Sequence, residues 1–144
     1  MRYKISFNES FVTIFTYGEL SVEGHQLFLR ELVAHPKWKA GTNVLVDHRA
    51  ASLANVTLND MRLVSLLVKQ LKGYLGSGGR CAIVLADNEE FTKAAIWKVM
   101  TAPEVGFEIE YFDSIENAKT WLCEHKRTLS TDNRQTPYVK RLSK

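Results

Sequence analysis

Cysteine and proline are scarce in this chain, and no apolar run is long: 144 residues hold two Cys and three Pro. Cys81 and Cys123 fit no disulfide framework, metal-ligand spacing or redox pair, and read as ordinary reduced thiols. The longest mostly apolar stretch, Met61 to Leu75, is broken by Arg62, Ser65, Lys69, Gln70, Lys72 and Gly73. A spanning helix needs about 20 apolar residues, so no membrane span is expected. The N-terminal Met-Arg-Tyr-Lys-Ile-Ser-Phe alternates polar and apolar residues and lacks the continuous apolar core of a signal peptide. A cytoplasmic protein beginning here is expected. No Gly-x-Ser-x-Gly elbow, Walker loop or Rossmann fingerprint occurs, and no cofactor or metal is expected.

What is present is the composition of a globular domain, 45% hydrophobic and 24% charged, long enough for one core. The net charge of +3 is unevenly spread. Residues 1–125 carry 13 Lys+Arg against 15 Asp+Glu, net −2, whereas residues 126–144 carry six basic residues and one acidic, net +5. From Thr128 to Lys144 the apolar periodicity is lost, which divides the chain into a domain, residues 1–127, and a basic flexible tail, residues 128–144. Lys126, Arg127, Arg134, Lys140, Arg141 and Lys144 are scattered and lack interleaved aromatics apart from Tyr138. Such a tail supports salt-sensitive contact only, so no specific nucleic acid is expected as a partner.

The pattern predicts a hairpin, Tyr3 to Phe7 and Phe11 to Tyr17, then helices alternating with strands. Ser21 caps a helix holding Leu27, Phe28, Leu29, Leu32 and Val33, and His35-Pro36 stops it. A buried strand Val44–Asp47 follows, and then a helix from Thr57 to about Leu75, with Thr57 as cap. Gly76-Ser77-Gly78-Gly79 reads as a loop, Cys81–Ala86 as a second buried strand, and Asp87 or Asn88 opens a helix to about Thr101. Phe107–Phe112 alternates like a half-exposed strand, and a last helix places Ile115, Ala118, Trp121 and Leu122 on one face. The order ββαβαβαβα implies an α/β fold with a mixed five-stranded sheet, one hairpin strand antiparallel to the rest.

Ligands of open α/β sheets sit past the carboxyl ends of parallel strands. That rule selects Asp47, His48 and Arg49 after one strand, Asp87 after the next, and Asn55 and Thr57 at a helix start, as a site for a protein partner or ligand. Each also has a plain local role: Asp47 can pair with Arg49, and Thr57 can simply cap. An enzymatic reading uses His48 as a base beside Asp47 and Arg49, but no paired nucleophile recommends it. His25, His35 and His125 fall in separate elements without ligand spacing.

The helices carry more apolar surface than docking needs. Leu63, Tyr74, Leu67, Leu71, Val64, Leu75, Val68 and Met61 cover roughly 160° of a wheel, against the ~100° that a sheet requires. In the following helix Phe91, Ala95, Val99, Ile96, Met100 and Trp97 lie nearly all round. A surplus face of Leu63, Leu66, Leu67, Tyr74, Ile96, Trp97 and Met100 points to a homodimer interface, to a pocket for an apolar small molecule, or to a thick core.

The hairpin, Leu20-Ser21-Val22-Glu23-Gly24 before a helix ending in His-Pro, Val44-Leu45-Val46-Asp47-His48-Arg49, Cys81-Ala82-Ile83-Val84, and the closing Asp113-Ser114-Ile115-Glu116-Asn117-Ala118-Lys119-Thr120-Trp121-Leu122 resemble the SpoIIAA-like proteins of the STAS superfamily. The resemblance covers about residues 3–125. It implies a small α/β sandwich related to anti-sigma-factor antagonists and, more loosely, to the lipid-carrying CRAL-TRIO fold, in a largely uncharacterised bacterial branch. The antagonists are switched by phosphorylation in an Asp-Ser-Ser-Gly-like motif opening the second helix. Here that stretch is Leu53-Ala54-Asn55-Val56-Thr57-Leu58, in which Thr57 is the candidate phosphoacceptor, without the motif's Asp before it or Gly after it. The expectation is a non-catalytic cytoplasmic regulatory domain that self-associates and binds a protein partner. The alternative is a carrier of an apolar or lipid-like ligand between helices and sheet.

Overall fold

The computed structural model describes residues 1–86 and 88–124. Strands β1 (Arg2–Phe7) and β2 (Val12–Glu19) form the hairpin, and its turn is held by the Asn8 carboxamide, which accepts from the backbone N–H groups of Ser10 and Phe11, both at 2.8 Å. Helix α1 (Val22–Ala34) starts at Ser21, whose hydroxyl accepts from Gly24 N at 3.0 Å, and ends where Pro36 forces His35 into an extended conformation. Strand β3 (Val44–Ser52) leads to α2 (Leu58–Gln70), which opens with a reciprocal cap between Thr57 and Asp60. A short helix α3 (Lys72–Leu75), strand β4 (Ser77–Val84), helix α4 (Asn88–Thr101), a 3₁₀ turn and strand β5 (Gly106–Phe112) follow. The chain then enters a helix over 115–124, here α5.

The sheet order is β1-β2-β3-β4-β5, with β1 antiparallel to β2 and the other neighbours parallel. This is the mixed five-stranded α/β sheet implied by the alternation of elements. Because strand order follows chain order, the winding never reverses, and crossovers of one hand stack on one face. Accordingly α1, α2 and α4 share a core with Val12, Ile14, Val44, Val46 and Ile83, while α5 is, among the described residues, the element that covers the other face, where Ala118 and Leu122 meet Leu45, Ala82 and Val84.

Three boundaries differ from the sequence reading. The long second helix breaks at Leu71, whose N–H is shared between the Leu67 and Val68 carbonyls, so Tyr74 and Leu75 belong to α3. Ser77-Gly78-Gly79 is not a loop: the turn is confined to Gly76, with φ +84° and no room for a Cβ beside Ala40 and Gly41, and β4 starts at Ser77. Strand β3 continues to Ser52, so Asp47, His48 and Arg49 lie inside the strand rather than past its end. Their polarity imitates a strand terminus, yet each finds a partner within the sheet.

Candidate functional site

An unreversed strand order offers no switch-point crevice at the strand ends. The concavity lies instead between the helix layer and the sheet: a cavity of about 170 Å³ with an almost wholly apolar wall. The sheet supplies Ile14, Val46, Cys81, Ile83, Ile109 and Tyr111; the helices supply Phe28, Leu29, Met61, Val64, Ala94 and Trp97. Leu53 and Val56, from the segment between β3 and α2, complete one part of the wall. That segment is tied to α4: Lys93 Nζ donates to the carbonyls of Leu53 at 2.7 Å and Ala54 at 3.0 Å, and Glu90 Oε2 accepts from Leu53 N at 3.2 Å.

Strand alternation separates the three consecutive residues picked out by the sequence. His48 shares the face of Val44 and Val46 and lines the cavity. Asp47 and Arg49 leave the opposite face, where Arg49 Nε and Nη2 reach the two carboxylate oxygens, each at 3.0 Å. Burial opposes the charge on Asp47, but the bonds and charge of Arg49 hold its carboxyl below the usual carboxylate range. The trio is therefore not one cluster. Asn55 is tied to Glu19, and the Thr57 hydroxyl accepts from Asp60 N at 3.0 Å as the α2 cap. Asp87 and the basic tail lie outside the described residues.

His48 meets a residue that position in sequence did not join to it. His25, one turn after the Ser21 cap, also lines the cavity, and the two imidazole centroids are 5.9 Å apart. The Thr16 hydroxyl lies 3.2 Å from the Asp47 carbonyl oxygen and 2.6 Å from His48 Nδ1, and its one proton serves one of these two contacts, so the tautomer of His48 is set by this hydroxyl. Nδ1 of His25 faces the Ser21 carbonyl at 2.8 Å, and a carbonyl only accepts, so this nitrogen carries the proton. His25 thus keeps a lone pair on Nε2, with no protein partner among the described residues. Burial lowers the pKa of His48 to about 3, assisted by His25 and opposed by Asp47; it lowers that of His25 too, against the Ser21 hydrogen bond. Both rings are neutral at pH 7. The signals that could have found this pair are the spacing Ser21, His25, Phe28, Leu32 along α1 and the parity of His48 with Val44 and Val46.

Among the described residues, no group of three or more His, Cys, Asp or Glu is placed to hold a metal ion. Tyr111 Oη donates to the Ala94 carbonyl at 2.5 Å, fastening β5 to α4 beside the cavity. The Trp97 indole N–H is buried with no acceptor among the described residues.

The surplus apolar helix face divides between inside and outside. Leu67 is buried in the core and Trp97 lines the cavity, so neither belongs to an outer surface, because both follow the inward spacing of Val64 and Ala94. Leu63, Leu66, Tyr74 and Ile96 are exposed, Met100 is half-buried, and Val99 is 77% exposed. No helix among the described residues is long and apolar enough to cross a membrane.

No protein-family model and no curated protein matches the chain. Among solved structures, it is similar to an uncharacterized protein of the DUF3478 family from Shewanella loihica PV-4, with 16% identity and a TM-score of 0.56 over 85% of this chain and 93% of that one. That protein is described as having a SpoIIAA-like fold, and the five-stranded mixed sheet with its helices gives this chain the same SpoIIAA-like fold.

Proposed function

We propose that this chain is a non-catalytic binding domain that holds a small apolar molecule between its helix layer and its sheet. The cavity supports this reading: about 170 Å³ exceeds the roughly 150 Å³ of an apolar cavity able to hold benzene. Helices α1, α2 and α4 spend apolar side chains on its wall that close packing would have used to fill it. The two free cysteines favour a reducing compartment, so the domain is proposed to work in the cytoplasm. Native mass spectrometry after gentle purification, with thermal melts across a panel of small apolar compounds, tests the proposal. Added mass or a raised Tm is expected. An apo protein whose Tm moves with none of the panel would overturn it.

A second reading is self-association. On α2 and α4, which pack side by side through the Thr101 to Ser65 hydrogen bond at 2.9 Å, Leu63, Leu66, Ile96 and Val99 remain exposed. A second copy of the chain is the partner proposed for them, and such a domain would act through protein interaction. Light scattering should show a dimer at high micromolar concentration that Leu66→Asp converts to monomer. A wild-type monomer at that concentration removes this reading.

A further inference from the structure

Most of the cavity wall is apolar, and the state of the imidazoles within it restricts what they accept. With its Nδ1 proton committed to the Ser21 carbonyl, the group that His25 has left is an Nε2 lone pair. A lone pair in an apolar wall attracts a hydrogen-bond donor and does nothing for an acceptor. We propose that the ligand of this cavity is an apolar molecule bearing one neutral donor, a hydroxyl, which donates to Nε2 of His25. The inference rests on the binding reading above and specifies the head group.

The charges around the pair argue against an anion. Lys93 already donates to two carbonyls, and Lys72 is an exposed residue at the rim of the lining. Asp60 would repel a carboxylate, and its own oxygen is engaged by Thr57 N at 3.0 Å. On the far face of β3 the Arg49 guanidinium is spent on Asp47 and supplies no cation to the cavity. A buried carboxylate would lose hydration without gaining a partner of opposite charge. A hydroxyl loses less hydration and recovers it in one bond.

Phenol, toluene and benzoate share a shape that fits this volume and differ in the group presented. A hydroxyl entering an unresponsive apolar cavity would bind more weakly than the methyl of toluene, because it is better hydrated in water. Titrations of the full chain should show phenol binding at least as tightly as toluene, with benzoate at least tenfold weaker. In His25→Phe, the affinity of phenol relative to toluene should fall tenfold or more. Imidazole ¹⁵N shifts of the wild-type protein give a reading independent of that variant: the His25 Nε2 signal should move with phenol and stay with toluene. Toluene binding accompanied by weaker phenol binding and an unmoved Nε2 signal overturns the hydroxyl assignment and leaves the carrier reading standing. Absence of binding by both toluene and phenol overturns the carrier reading and this inference together.

Discussion

On one face of the sheet a single helix, among the described residues, lies close. Ala82 and Ala118, both fully buried, let α5 approach Leu45 and Val84. Polar groups at the edge then fix it: Asn43 Nδ2 donates to the Leu122 carbonyl at 3.3 Å, Arg80 Nη1 donates to the Trp121 carbonyl at 2.9 Å, and the Arg80 guanidinium lies 4.4 Å over the Trp121 ring. These donors fasten the described end of α5 to the edge of the sheet. On the opposite face three helices meet larger side chains, Phe28, Met61 and Trp97 among them, and do not close the space. Side chains that interlock fill a face, and side chains that only border one another leave room for a guest. The first arrangement concentrates stability; the second gives up some packing for a cavity.

That contrast can be broken at its tight side first. Leu45→Ala, at a residue 1% exposed beneath α5, should cost about 2–5 kcal/mol in urea denaturation while leaving ligand affinity unchanged. An equal loss of affinity would mean that the two faces are one mechanical unit.

Acid should act on the other face. Since the folded-state pKa of His48, about 3, lies below the unfolded value of 6.5, the unfolded chain binds more protons between these values. Stability is therefore full above pH 6.5 and declines as pH falls toward 3, by about 1–2 kcal/mol between pH 7.5 and 5. His48→Phe should make this part of the profile shallower and leave the share of His25, whose pKa burial also lowers. Asp47, with its carboxyl held below the ordinary range, adds losses only at lower pH, where it protonates.

The smallest effects sharpen the comparison. Ala118→Leu has no space to fill and should cost about 1–3 kcal/mol, whereas Ala94→Leu extends into the cavity and should change stability by less than about 1 kcal/mol. If both cost the same, the cavity wall is as rigid as the α5 face.

Much of this architecture is written in local chemistry. Ser21 and Thr57 cap the helices expected of them, and the Asn8 turn joins the expected hairpin. Ala118 and Leu122 turn inward at helical spacing, with Ile115 and Trp121 packed beside them. What was not legible depends on distance between elements. Glycines in β4 imitate a loop, yet Gly79 is there because a Cβ would lie 2.6 Å from the Gly41 carbonyl oxygen and 2.7 Å from the Phe107 ring. Polar Asp47 and Arg49 imitate a strand end because their mutual ion pair forms across alternate positions of a continuing strand. The His25 and His48 pair is invisible along the chain because its members are 23 residues apart and meet only when α1 docks on β3.

The two cysteines fall on opposite sides of this division, and so provide a clock. Cys81 stands in the cavity wall, where burial pushes its thiol up to about 12, while Cys123 is exposed on α5. Alkylation requires a thiolate within reach of the reagent. Cys123, within reach of the reagent, should be modified without any opening of the fold, and Cys81 only as often as the helix layer lifts from the sheet. The ratio of the two rates times the opening through which any guest must pass, and a bound guest that holds the layer down should slow the second rate without touching the first.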